Sequence, residues 1–453
     1  MMSNACIHGN GGFWGRCLRL VLLAILLPFF GAPALANEFL FSLSSAPLRA
    51  DDRVRGGVAT NPAAPPEILK RFAESADWRM RVFVAVNPGA PGETLKKLAK
   101  DKRNAVRIGV AANPNTPPDV LEKLAGGDIL ILVRANVAGN PGASGKVLEK
   151  LAEDKAKEVR KRVATNPGAP GKVLEKFADD GDLWVRYAVA ENPHTPPEIL
   201  ARLAGDAEDN VREAIAGNPH TPPELLTRLA SGENFEVRDD VAANPGAPGK
   251  VLRKLAEDEV KSVRLSVAKN PRTPPDILER LTGDIRDDVR EEAAKNPNMP
   301  PKTLERLADS MDEHIRAGVA GNPGVSREIL EKLADDEASR APFHVAKNPN
   351  TPLEILEKLA DDKNWRARGF VAENAHTSPK TLARLAGDTD GEVRKNVAKN
   401  PNTPGKALEK LADDESLEVR VCVAMNSSTP PEILEKLAGD ENDDANGLPE
   451  GKR

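Results

Sequence analysis

Residues 185–204 read VRYAVAENPHTPPEILARLA. Two helical patterns meet here at Asn192-Pro193. The residue before a proline is pushed out of the α region, so Asn192-Pro193 ends a helix. Thr195-Pro196-Pro197-Glu198 reads as the start of the next one. Threonine can cap, proline suits the first helical position because its missing N–H would be unpaired anyway, and Glu198 can reach back to the cap. Ile199, Leu200, Leu203 and Ala204 then share one helical face. Gly205-Asp206 closes that helix, and Val211, Ile215 and Ala216 give a further helix its apolar face before Asn218-Pro219 stops it.

The same pattern recurs along the chain. An asparagine returns every 26 residues from Asn61 to Asn426, with one step of 27 between Asn113 and Asn140. Aligned on it, the fifteen units have Ala two residues before the Asn in every case. Arg stands six before it in fourteen units, Pro342 being the exception. Pro follows the Asn in thirteen, and Leu stands eight after it in all fifteen. A fixed period of this size is the signature of a stacked repeat array.

Each unit therefore contributes two helices of roughly ten residues or fewer, too short to persist alone in water. They hold only by stacking on neighbouring units. Aromatic residues are 4% of the chain, and the apolar positions are mostly Val, Leu and Ala, so helices approach closely. Stacking about 10 Å per unit implies a curved rod on the order of 130–150 Å long. The fold class is all-α, an α-solenoid of about fifteen two-helix repeats over residues 53–439.

Net charge is −5, with 64 basic and 69 acidic residues intermixed, which argues against a nucleic-acid binder. The first 36 residues differ in kind. Arg16 and Arg19 precede an apolar run from Leu20 to Phe30, and Ala34-Leu35-Ala36 supplies the small residues of a cleavage site. Residues 1–36 read as a signal peptide cut between Ala36 and Asn37. The exported chain is then periplasmic or secreted and has no membrane association after cleavage. Residues 37–52 form an N-terminal capping segment, and 440–453 an acidic, disordered tail. Cys6 and Cys17 leave with the leader, so Cys422 alone remains and no internal disulfide is expected.

The unit Val-Arg-x-x-Val-Ala-x-Asn-Pro-x-Thr-Pro-Pro-Glu-Ile-Leu-x-x-Leu-Ala resembles the leucine-rich repeat variant family, and more loosely HEAT-type repeats. The resemblance covers residues 53–439 and implies alternating α and 3₁₀ or short α helices in a right-handed superhelix. The founding type of that family carries an N-terminal four-cysteine segment holding an iron–sulfur cluster. This chain has no cysteine between Asn37 and Asp52. The fold carries over; the cluster and any redox role do not, and no cofactor is expected.

The constant columns read as structural. Eleven units place an Asp fourteen residues after the Asn, shortly before the next unit's Arg, which suggests an Asp–Arg ladder between neighbours. The Asn amide can donate and accept, and suits open backbone groups at a helix end. Specificity should sit in columns that vary, the fourth and fifth positions before each Asn. These hold Phe83, Ile108, Tyr187, Leu265, Phe343 and Phe370, together with the acids Glu213, Asp239, Asp240, Glu291 and Glu292. They are the candidate partner-binding residues.

Three interruptions stand out. Asp128–Val133 is apolar where other units are polar, and coincides with the inserted residue in Gly126-Gly127. Pro342 should break the second helix of its unit and bend the array between 338 and 378. His194, His220 and His376 share one loop position, and since even adjacent units stand about 10 Å apart they are too far from one another to share a metal ion.

No nucleophile elbow, phosphate-binding glycine loop or metal-ligand spacing occurs. The reading is non-enzymatic: an exported, monomeric scaffold that binds a protein or polymer partner along a repeat surface. The rivals are a cation-dependent or cofactor-attachment accessory protein and a structural spacer of the envelope.

Overall fold

The computed structural model describes residues 50–439 apart from 337 and 338. The leader, most of the capping segment and the acidic tail lie outside the described residues. Those described form thirty helices, numbered here α1 to α30 in chain order, and contain no strand. Even-numbered helices follow each Asn-Pro joint, and odd-numbered helices end at the next Asn. Most are seven to nine residues long; α1 (Ala50–Thr60) has eleven. The architecture is an α-solenoid of tandem helical repeats.

The chain divides into two bodies. One is Leu148–Pro404; the other joins the residues up to Val147 with those from Gly405 onward. Within each, odd-numbered helices pack directly on one another, while even-numbered helices touch their own kind far less. The core is the seam between the two sets. In the unit around Asn270 it comprises Val263, Val267, Ala268, Leu278 and Leu281, all buried. Small side chains on the odd helices let them lie this close. Any side chain at Gly318, for instance, would collide with the Glu291 carbonyl of the neighbouring helix.

Asparagine closes each joint. Asn270 is 2% exposed. Its Nδ2 donates to the Ala242 and Asn244 carbonyl oxygens of the preceding unit at 2.7 and 2.9 Å, and its Oδ1 accepts the Arg272 N–H at 2.9 Å. Asn244 does the same one unit earlier, to Ala216 and Asn218. The side chain thus satisfies the Ala242 carbonyl, which a finished helix of the preceding unit leaves open, and adds a second bond to the Asn244 carbonyl, which also accepts the Ala247 N–H.

The arginine column forms the expected ladder. Arg264 Nε meets Asp284 Oδ2 at 2.7 Å, and its Nη1 donates to the Asp258 carbonyl at 2.9 Å. Asp258 in turn takes Arg238 and caps its own turn by accepting the Val260 N–H. These pairs are largely covered by neighbouring chain. The hydrogen bond from Arg186 holds the Asp206 carboxyl below its usual range, outweighing its partial burial. The ladder adjusts where spacing changes: Arg107 reaches Asp128 across the inserted residue, and Arg290 reaches Asp312.

Three sequence expectations are corrected. Thr195 does not cap. Pro196 occupies the N-cap position with no side-chain bond, and Thr195 Oγ1 donates back to the Val189 carbonyl at 2.5 Å. Pro342 does not break its helix. It sits in the first turn of α23 (Ala341–Lys347), where proline is tolerated, and the helix simply starts later. The curved rod also needs correction at its ends, since α1 packs along α29 (Leu417–Met425) within the first body. At the insertion, Asp128 turns inward to Arg107 while Ile129 stands 90% exposed.

Asn270→Ala should lower the stability of the second body by about 2–4 kcal/mol, since it removes three hydrogen bonds and leaves the Ala242 carbonyl and the Arg272 N–H unpaired. Asn270→Asp keeps the acceptor but faces a carboxylate to two carbonyl oxygens, and should lose at least as much at neutral pH. Urea titration followed by circular dichroism measures both.

Candidate functional site

The stack uses the positions two, three, six and seven before each Asn. Among the other positions of the odd helix are those eight, five, four and one before it. These follow i, i+3, i+4, i+7 spacing and therefore share one face. In the second body this face runs across α11 (Leu183–Glu191), α13 (Asp209–Gly217), α15 (Phe235–Ala243), α17 (Lys261–Lys269), α19 (Asp287–Lys295), α21 (Glu313–Gly321), α23 and α25 (Trp365–Glu373).

The register between neighbours is set by close contacts. Glu291, five before its Asn, lies 3.5 Å from Nδ1 of His314, eight before the next Asn. Arg340 reaches the same Glu291 oxygen at 3.3 Å and His314 Nδ1 at 3.0 Å. His344 Nε2 stands 3.7 Å from Glu291 Oε1. Burial depresses the His344 imidazole; Glu291 opposes that, while Lys295, Arg340 and Lys347 add to it. These groups adjoin a cavity of about 460 Å³ lined by Ile285, Arg286, Asp287, Asp288, Glu291, His314 and Arg340. Its three acids are answered by nearby cations, so the region is close to balanced.

Two units away the balance fails. Glu213, Glu236, Asp239 and Asp240 crowd α13 and α15. Burial together with Glu236, Asp240 and Asp209 pushes the Glu213 carboxyl up to about 7. Burial, Asp239 and Glu236 push Asp240 up to about 6. Asp239 Oδ1 is buried with no hydrogen-bond partner. Beside them, Trp184 and Tyr187 meet edge to face at 5.6 Å between ring centroids. Burial raises the Tyr187 hydroxyl, and Glu191, Asp240 and Glu213 add to it. Lys161 Nζ from the preceding unit stands 5.3 Å from the Trp184 ring centre, an ammonium on an aromatic face. A second aromatic pair, Phe343 and Phe370, lies 6.0 Å apart with Lys347 over the Phe370 ring at 4.0 Å.

The candidates thus divide. Tyr187, Glu213, Asp239, Asp240, Leu265, Glu291, Glu292, Phe343 and Phe370 are half-buried on the shared face of the second body. Phe83 and Ile108 are each 2% exposed, because neighbouring odd helices close over them, and they present no surface. The two columns chosen from sequence are only half of the face. Trp184, Glu236, His314 and Arg340, all eight before an Asn, belong to it and escape that choice. Helical spacing counted back from the two chosen columns finds them. His194, His220 and His376 only donate a backbone N–H to the Asn two residues earlier. Among the described residues no group of three or more His, Cys, Asp or Glu is arranged to hold a metal ion, and no helix is long and apolar enough to cross a membrane.

Comparison with known proteins agrees with the repeat. A model described as leucine-rich repeat variant domain matches residues 185–241, and one described as leucine-rich repeat variant matches 105–128, 262–284 and 391–416. These segments belong to the leucine-rich repeat variant family. Among solved structures, it is similar to a leucine-rich repeat variant described as having a novel repetitive structural motif. Identity there is 24%, over 55% of this chain and 87% of the other, with a TM-score of 0.30. It is also similar to an engineered protein, at 19% identity over 89% of this chain and 98% of the other, with a TM-score of 0.21. No curated protein matches.

The crowding has a measurable sign. Glu213 has a folded pKa above its unfolded value, so its repulsion is absent well below pH 4.5 and complete above about 7. Glu213→Gln should therefore stabilise the protein at pH 8 and leave it unchanged at pH 4. The gain should be at most about 1 kcal/mol, because the carboxyl is only partly buried and water still screens the repulsion. Thermal melts of both proteins at the two pH values give the comparison.

Proposed function

We propose that this chain is an exported, non-enzymatic scaffold whose odd-helix face holds a protein or polymer partner bearing cationic side chains. A repeat solenoid suits such a role, since stacked units build extended binding surfaces. The observation that carries the reading is the uncompensated acid of α13 and α15 next to the Trp184–Tyr187 pair. A lysine or arginine placed there would relieve like-charge repulsion and could lie on an aromatic ring, as Lys161 already does. The arginine-flanked apolar run at the N-terminus supports export.

The chain, expressed with its leader and recovered from the envelope fraction, should retain a macromolecular partner on an affinity column at low salt. Retention should fall at least tenfold in the double variant Glu213→Lys, Asp240→Lys. It should be weaker at pH 5 than at pH 8, because both carboxyls are protonated at the lower value. Calorimetry with Ca²⁺ separates the cation-dependent rival: heat with the ion, abolished by Asp239→Asn and Asp240→Asn, would favour that reading. No retained macromolecule at either pH, or retention untouched by the charge reversal, would overturn the proposal.

A further inference from the structure

The first repeat occupies the place that would follow the last. Asn61 is 1% exposed, and its Nδ2 donates to the Ala424 and Asn426 carbonyl oxygens at 2.8 and 2.9 Å. Its Oδ1 accepts the Ala63 N–H at 2.8 Å. One unit on, Asn87 makes the same bonds to Ala59 and Asn61 at 2.7 and 2.9 Å. The helix contact repeats as well. A Cβ at Gly57 would stand 3.0 Å from Ala424 Cβ and 3.6 Å from Met425 Cγ. At Gly109, the same position two units later, it would stand 3.1 Å from both Ala85 Cβ and Val86 Cγ1, in the matching positions of the preceding unit. Val58 and Ala59 are fully buried, as their counterparts are inside the array. Terminal units of repeat arrays ordinarily need polar caps. At this face the two terminal units carry instead the complement of one another.

We propose that the first and last repeats are a self-recognition pair, and that the same pair joins a second copy of this chain head to tail whenever it is not closed within one molecule. The head is the face of α1 around Gly57 with the Asn61 amide; the tail is the face of α29 around Ala424 with the Ala424 and Asn426 carbonyls. Separation exposes valine and alanine at the head and takes the amide bonds from the Ala424 and Asn426 carbonyls at the tail, so each open end has reason to bind its complement. Closure within one chain normally prevails, because tethering holds the ends at high effective concentration. Contacts of this head-to-tail kind join copies into chains when they do not close on themselves.

The test uses two full-length variants, each with one end blocked. Gly57→Arg has a dead head and a sound tail; Ala424→Arg has a dead tail and a sound head. Light scattering across a concentration series should find each variant monomeric alone. Mixed in equal amounts, they should form a one-to-one dimer, because one sound head then meets one sound tail. A mixture that stays monomeric, with both variants retaining their helical circular dichroism, would overturn the proposal. Should arginine prevent folding, Gly57→Leu and Ala424→Leu block the same faces sterically, and the same two outcomes decide. In a background with Cys6, Cys17 and Cys422 changed to serine, Gly57→Cys with Ala424→Cys should oxidise to an intrachain disulfide at low protein concentration. Failure to form it would remove the contact within one chain and the proposal with it.

Discussion

The asparagine amide at each joint is the interaction on which the array depends. A helix that ends at Asn-Pro leaves carbonyl oxygens without partners, and the helices are too short to compensate by length. The amide of the following unit supplies the donors, two bonds from one nitrogen, while its oxygen fixes the turn that starts the next helix. Each unit is thus completed by its successor. That makes a unit unstable in isolation and explains why a polar residue is buried at every joint: removing it would break three hydrogen bonds to backbone groups at once, a large loss in a site closed to water. The same logic bears on the first body, where the joint at Asn426 has no later unit among the described residues to complete it. Asn61 completes it instead.

Other constant columns follow from that constraint. Once the joints are fixed, successive odd helices lie side by side at a distance set by Gly, Ala and Val. The Arg–Asp ladder then spans neighbours at the edge of the seam, where each guanidinium also collects a carbonyl from the turn before its own helix. Threonine three residues after the Asn donates to the preceding helix's last turn, as Thr273 does to Val267, leaving that turn better satisfied. In the second body, side chains eight, five, four and one before the Asn escape these duties wherever they are larger than the glycines and alanines that close the packing, and they lie on one face. The division between frame and surface is therefore a matter of helical geometry.

Much of this is legible in the sequence because it is local and periodic. The Asn column, the Arg–Asp spacing and the helix boundaries can be read from one unit and checked on fourteen others. The departures share a different cause. Threonine often caps, but at Thr195 the following Pro196 already holds the cap position, and the hydroxyl finds a carbonyl six residues back. A proline breaks a helix only if the helix has begun before it, and at Pro342 the helix begins late. Phe83 and Ile108 stand in a column that varies, which suggests surface. Burial in that column depends on the side chains of the neighbouring helix, which one unit's pattern does not contain. The meeting of α1 and α29 is invisible for the same reason, since no local spacing encodes a contact between residues 363 apart in sequence.

The frame also explains the electrostatics of the face. On a flexible surface, crowded carboxylates would move apart or turn into water. Here Glu213 and Asp240 stand on helices pinned by the joints at Asn218 and Asn244, each tied to the unit before it. The two helices cannot separate without breaking buried hydrogen bonds, so the repulsion is relieved by holding protons near neutral pH. A stack rigid enough to keep like charges together is also rigid enough to offer them, already assembled, to a cationic group. The repulsion held on α13 and α15 is then a direct consequence of the joint that builds the array, and it is the term a bound cation would remove.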